Sequence, residues 1–443
     1  MLDLLQLDER LVEIIIEILP VSDLLHVCLT CQGLLQLGRQ RLFRHIFLHH
    51  HQNQEGQSFV RPIIPLMKTQ PDLASKVQKL ELMGTKPKTP RTDVQYTKLI
   101  SCCKNIKYLG LGWNFKGLPM ELDRSFSLLR EIRFQENRDY PGRRAVQGSY
   151  STMLPALVHQ IFRLPAIEEL HISVPNTRLQ PMTFGNLSQA PTLTSITLQG
   201  SHVDEEHIVM LLSSTPQLRK FDFDRDGDFV KYIRGPPSRL SPMKRLHQAL
   251  LQVSRTLEDL KLALNWEIEG WHSHDGGWTL DSETPKGRLG SMKIFESLVR
   301  LDVPIVMLLG FSPAHDPSLG EVLPPNLRHL CIASDLCEWA TYKWTARLFD
   351  DYLQGWVPHL RTYAPSLERF NLRVFTNFDR GKKAFWTERT PDHFCRLCIA
   401  AGLQWGIEFV GGYREIRNSL MVEEAGETLY QGVLEFRGHQ RPL

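Results

Sequence analysis

Five stretches of the chain carry side chains that could hold a metal or move a proton. Cys395 and Cys398 make a C-x-x-C with His393 close by. A tetrahedral zinc site usually draws on two such pairs, and no second C-x-x-C or H-x₃-H lies near in sequence. Phe394, Leu397 and Ile399 interleave these residues, so the spacing predicts a buried helix face. Cys28 and Cys31, set in LLHVCLTC, read the same way. His45, His49, His50 and His51 could chelate a transition metal, but a polar exit from a helix is the plainer account. His272, His274 and Asp275 have ligand chemistry and sit in a loop with no fixed geometry. DFDRDG at 222–227 imitates the start of a calcium loop, yet Ile233 occupies the position of the bidentate Glu. A strand-to-turn exit is expected there. No metal and no cofactor are expected.

Enzyme motifs are missing. The chain has no G-x-S-x-G, no P-loop, no G-x-G-x-x-G after a strand and no H-E-x-x-H. The expectation is therefore a binding protein rather than an enzyme. The opposing reading is a metal-dependent enzyme using His272, His274 or the Cys395 region.

The elements that must position these residues follow from composition and period. With 443 residues, 42% hydrophobic and 23% charged, the chain can bury a sizeable core without disulfides or metal. Its 52 basic and 49 acidic residues leave a formal charge of +3, too balanced for a nucleic-acid binder. Eight cysteines, scattered among apolar residues, point to a reducing compartment. No run approaches the roughly 20 apolar residues of a membrane span, and Asp3, Asp8, Glu9 and Arg10 break any secretory pattern at the start. A cytoplasmic or nuclear location is expected.

From residue 77 a repeat of the form L-x-x-L-x-L appears. It reads VQKLEL at 77–82, IKYLGL at 106–111, LREIRF at 129–134, IEELHI at 167–172 and LTSITL at 193–198. LRKFDF at 218–223, LEDLKL at 257–262, LVRLDV at 298–303, LRHLCI at 327–332 and LERFNL at 367–372 continue it. Pro165, Pro191, Pro216, Pro325 and Pro365 stand shortly before several units. The alternating half predicts a short strand with one buried face, and the stretches between predict helices. A strand plus a helix, repeated ten times, predicts a leucine-rich-repeat α/β solenoid, a horseshoe over residues 77–410. Insertions fall at 264–296, 304–325 and 333–365, the last reading as a long Trp-rich helix over 335–363. LQWGIEF at 403–409 reads as one last strand, and 411–443 as a cap or tail.

On the strand side, the residues flanking each buried Leu face outward. From Lys79 to Arg373 they count seven acidic and seven basic, which offers no steering for a phosphate backbone. Arg369 and Arg373 make the C-terminal end basic, a place for an acidic or phosphorylated partner. Trp271 and Trp278 in the 266–289 loop, and Trp339 in the last insertion, are candidate anchors for a protein substrate.

Ahead of the repeats, residues 1–48 predict three short helices, and 49–76 a linker. Helix chemistry covers 7–19 and must stop near Leu19, because Pro20 disfavours helical geometry before it. Between Leu11 and Leu19 only Glu13 and Glu17 are polar. So apolar a helix is buried on more than one side, and about 45 residues cannot cover that surface alone. It docks on the rest of the chain or on another protein.

This opening resembles an F-box. LDERLVEIIIEILPVSDLLHVCLTC places Leu7, Leu11, Val12, Ile15, Ile16, Leu19, Asp23, Leu24, Leu25 and Cys31 on the family's positions. Asp8 and Arg10 depart from the family's usual Pro and Glu. The layout behind it is similar to fungal-type F-box proteins with divergent leucine-rich repeats. The resemblance implies a substrate receptor of an SCF ubiquitin ligase, tethered through a Skp-type adaptor to a cullin. It assigns Leu7, Leu11, Ile15, Leu19, Pro20, Leu24 and Leu25 to the adaptor interface and the repeats to an unknown protein substrate. The alternative is a scaffold whose N-terminal helices merely cap the repeats.

Overall fold

Each L-x-x-L-x-L unit becomes a strand that starts at its third residue. The structure, a computed structural model, describes residues 9–30, 32–50, 60–84, 90–112, 122, 125–135, 153–173, 186–199, 203, 205–226, 243–265, 288–310, 322–334, 344–376 and 390–411. The chain divides into two units. The first comprises Met1–Tyr140 and Thr152–Ser173, the second Pro141–Ser151 and Val174–Leu443.

In the first unit the strands are β1 (His45–His50), β2 (Lys79–Gly84), β3 (Tyr108–Gly112), β4 (Glu131–Gln135) and β5 (Glu169–Ser173). They pair in sequence order, every pair parallel. Helices α4 (Val60–Thr69), α5 (Pro71–Lys76), α6 (Pro90–Cys102) and α7 (Met153–Ile161) lie between strands in sequence. The second unit holds β6 (Ser195–Gln199), β7 (Lys220–Asp226), β8 (Asp259–Asn265), β9 (Arg300–Pro304), β10 (His329–Ala333), β11 (Arg369–Thr376) and β12 (Gln404–Gly411). These too pair in order and in parallel. Both units are α/β, each with a parallel sheet and helical connections.

The repeat's chemistry explains its geometry. The first apolar residue of each unit is sealed from water, from Val77 and Ile106 to Leu327 and Leu367. A turn precedes it, closed by amides such as Leu193 to the Ala190 carbonyl and Leu218 to the Thr215 carbonyl. Pro191 and Pro216 occupy the second turn position, where their fixed φ is already correct. Along the strand, burial then alternates, as in β4 and β6.

Three segments differ from the sequence reading. Residues 49–76, expected as a linker, contain the end of β1 and two packed helices whose Ile64, Met67, Leu73 and Ala74 are buried. The third helix stops at Arg44 rather than Leu48, because HIFLHH buries Ile46 and Leu48 and exposes Phe47, a period of two. The long Trp-rich helix is shorter, Ala346–Trp356, followed by a 3₁₀ turn at Val357–His359 and a last helical turn at Leu360–Tyr363. Trp344 and Trp356 are buried and bracket the Tyr352 ring at 5.3 and 4.8 Å. The expected final strand is present as β12. Trp271, Trp278, Trp339, the His272 loop and residues 412–443 lie outside the described residues.

Candidate functional site

The amino-terminal helices form α1 (Glu9–Ile18), α2 (Val21–Thr30) and α3 (Gln32–Arg44). Pro20 ends α1 and starts α2: its carbonyl accepts the amides of Asp23 and Leu24, the first hydrogen bonds of the second helix. Val12 and Ile16 on α1, Leu24 on α2 and Leu34 on α3 make a small core, with Leu19, Val27, Leu37 and Leu42 against it.

This core leaves much of the apolar surface outside. Leu11, Ile14 and Ile18 recur at i, i+3 and i+7 on α1 and are 50%, 57% and 75% exposed. Leu25 and Leu29, four apart on α2, are 54% and 84% exposed. Single exposed leucines need no explanation, but five on two consecutive helices do. Among the residues expected at an interface, Leu11, Leu25 and Pro20 are exposed and Ile15 and Leu19 half-buried. Leu24 is 1% exposed and belongs to the module's own core. Leu7 lies outside the described residues. Ile14, Ile18 and Leu29 were not legible as interface residues, because the sequence does not say which apolar stripe of so greasy a helix turns inward.

The module is fastened at its far end. Arg44 pairs with Glu17 of α1 at 2.8 Å and donates through Nε to Gln78 at 3.0 Å. Arg39 donates to Gln70 at 2.7 Å, and α3 runs straight into β1. Beside Ile14, a cleft of about 470 Å³ is lined by Arg10, Glu17, Arg41, Arg44 and Lys76. Its four cations face one carboxylate, so the cleft favours an acidic neighbour.

A second cluster lies on the open face of the second unit's sheet. Arg373, expected as a free basic residue, is 6% exposed; its guanidinium pairs with Asp302 and, at 3.4 Å, with Glu408. Arg369 donates through Nε to Asn371 at 3.0 Å. Asp222 faces Lys261 at 3.5 Å. Burial, then the neighbouring Asp222, pushes the Asp224 carboxyl up to about 6. Arg373 is thus neutralised by carboxylates, while Arg369 is held by a neutral amide, and an acidic or phosphorylated partner finds no free arginine at Arg373.

The other chemistry-bearing stretches stay apart. Cys395 and Cys398 sit on the helix Thr390–Ala400, where burial pushes both thiols up and disfavours the thiolate that zinc requires. Cys28 is buried, and Cys31 lies outside the described residues. His45 faces Glu81 at 3.6 Å, and His49 and His50 belong to β1 rather than to a helix exit. Among the described residues no group of three His, Cys, Asp or Glu could hold a metal ion, and no helix is long and apolar enough to cross a membrane.

Compared with known proteins, the chain matches no protein-family model, and no curated protein is similar enough to count as a relative.

Proposed function

We propose that this chain is the substrate-recognition subunit of an SCF-type ubiquitin ligase. The helical module docks on a Skp-type adaptor, which links it to a cullin, and the repeats hold a protein substrate. One observation carries the reading: α1 and α2 satisfy their own core with Val12, Ile16 and Leu24, yet leave Leu11, Ile14, Ile18, Leu25 and Leu29 exposed. Fully burying an aliphatic side chain contributes about 1.5–3 kcal/mol, so five exposed ones can offset an association cost of about 4–15 kcal/mol. The repeats are then leucine-rich repeats in function as well as period. The chain does no chemistry in this reading; it raises the concentration of substrate near a charged enzyme.

A second reading has an observation of its own. Because α3 runs into β1 and is fastened through Arg39 and Arg44, the module also suits a scaffold's end cap. A cap alone gives the five exposed side chains no partner. Hydrogen exchange separates the two. On adding purified adaptor, the ligase reading expects new protection across α1 and α2, while the cap reading expects these helices to be fully protected beforehand and unchanged by it.

A further inference from the structure

The cleft beside Ile14 is built by three helices of the first unit. Arg10, Ile14 and Glu17 recur at i, i+4 and i+7 along α1, and Leu37, Gln40, Arg41 and Arg44 share one face of α3. Lys76 ends α5, and Gln78 leads into β2. At about 470 Å³ the cleft falls within the roughly 300–1,000 Å³ of ordinary ligand sites. A second cleft of about 390 Å³ shares Glu17, Arg41, Arg44 and Gln78 with it and adds His45 and Lys79.

Among the described residues the charges around it do not cancel. Glu17 pairs with Arg44 at 2.8 Å. Lys79 and His45 both face Glu81, at 2.7 and 3.6 Å. Arg41 donates through Nη2 to the Glu17 backbone carbonyl at 3.2 Å, a neutral acceptor. Lys76 is exposed, and Asp72, one turn before it on α5, does not line the cleft. Arg10, Arg41, Arg44 and Lys76 against Glu17 leave the lining at +3. That charge stands on helices held to one another by Val12, Ile16, Leu24 and Leu34.

The walls are not charged throughout, since Ile14, Ile16 and Leu37 contribute aliphatic surface. A bare polyphosphate has nothing to lay on them. A glutamate or aspartate carried on a peptide brings carboxylates for the cations and methylenes for the walls. The cleft is also continuous with the apolar stripe. Ile14 lines the one and is the middle member of the other, between Leu11 and Ile18, so a chain lying on the stripe runs past the cleft's mouth.

We propose that the cleft takes an acidic segment of the same partner that covers α1 and α2, its carboxylates held by Arg41 and Lys76. The inference rests on the reading of that stripe as a docking surface and adds the charge of the partner's second contact. Such a contact steers and orients docking and is screened by salt, as the apolar contact is not.

Titration of the full chain with the blocked peptides Gly-Glu-Leu-Glu-Asp-Gly and Gly-Lys-Leu-Lys-Arg-Gly tests the cleft by itself. The acidic peptide should bind saturably in 50 mM NaCl and at least fivefold more weakly in 500 mM; the basic one should not bind. Lys76→Glu should lose tenfold or more. Arg41→Gln, which keeps a donor for the Glu17 carbonyl, should lose threefold or more, while Lys98→Glu, exposed on α6, stays wild type. The Ile18→Asp, Leu25→Asp double variant should still take the peptide. Absence of acidic-peptide binding, equal binding of both peptides, or wild-type binding by Lys76→Glu would overturn the proposal. Because Lys76 is exposed, its variant folds and the result is readable. Tripolyphosphate binding tighter than the acidic peptide would overturn a protein segment as the occupant. With purified Skp-type adaptor, Lys76→Glu should weaken association about tenfold. An adaptor that binds wild type and Lys76→Glu alike would overturn this inference and leave the ligase reading intact. Failure of the adaptor to bind a wild-type chain that takes the acidic peptide would overturn the ligase reading and leave the cleft's occupant acidic.

Discussion

Leu24 and Leu25 are neighbours on α2 with opposite fates: Leu24 is 1% exposed and Leu25 54%. A helix advances about 100° per residue, enough to carry one leucine into the core beside Val12 and Ile16 and leave the next in water. Leu24→Ala should therefore cost about 2–5 kcal/mol, through lost burial and a cavity. Leu25→Ala should change stability by about 0.5 kcal/mol or less. Thermal melts of the full chain, with limited proteolysis of residues 9–44, check this; equal losses would contradict the inside-outside division.

Gly38 on α3 offers a sharper test of helix packing. Alanine is the better helix former by about 1 kcal/mol, so propensity alone predicts that Gly38→Ala stabilises. A Cβ there would lie 2.3 Å from Cys28 Sγ on α2, far inside contact distance. The clash reverses the sign, and a loss of about 1–3 kcal/mol is expected. Adding Cys28→Ala, which removes the sulfur, should return much of that loss. Gly38→Ala melting above wild type would show that the two helices stand further apart.

Asp224 predicts a pH dependence with a definite sign. Its folded pKa, raised from 3.8 to about 6, exceeds its unfolded one. Its contribution is thus fully present below about 3.8 and is lost as pH rises through about 6. Asp224→Asn should melt higher than wild type at pH 7.5, on the order of 2–3 kcal/mol in stability, and like it near pH 4. A constant difference across that range would remove Asp224 as its cause.

Arg373 holds Asp302 and Glu408 together on β9 and β12. Arg373→Gln leaves buried carboxylates without their cation and should destabilise by about 3–5 kcal/mol. Arg373→Lys should recover only part, since one ammonium cannot match the fork that meets two acids from different strands. Denaturant melts of both variants decide; full recovery by lysine would make the arginine a point charge only.

How much of this was legible depended on the range of the interactions. The ten repeat strands were legible because each carries its own local signal, a turn, a buried Leu and an L-x-L alternation. β1 was not, since HIFLHH sets its two buried positions among three histidines and an exposed phenylalanine and follows a helix without a break. The helices at 60–76 were hidden by their three prolines, which read as a linker. The core of the three amino-terminal helices was legible in outline, but not which leucine of a pair faces inward. The ion pairs across the second unit's sheet were not legible at all. A strip with equal acids and bases looks neutral until pairing sets Asp222 opposite Lys261 and lets Arg373 lie over Ala333.

The central claim is that the exposed stripe of α1 and α2 is a partner's surface. The most direct measurement is co-expression with a Skp-type adaptor and size-exclusion chromatography of the wild type and the Ile18→Asp, Leu25→Asp double variant. Both substitutions fall on exposed positions, so the melting temperature should hold. Wild type co-eluting with adaptor, and the double variant eluting alone and folded, is the predicted result. A folded wild type that elutes alone, or a double variant that still carries the adaptor, would contradict it.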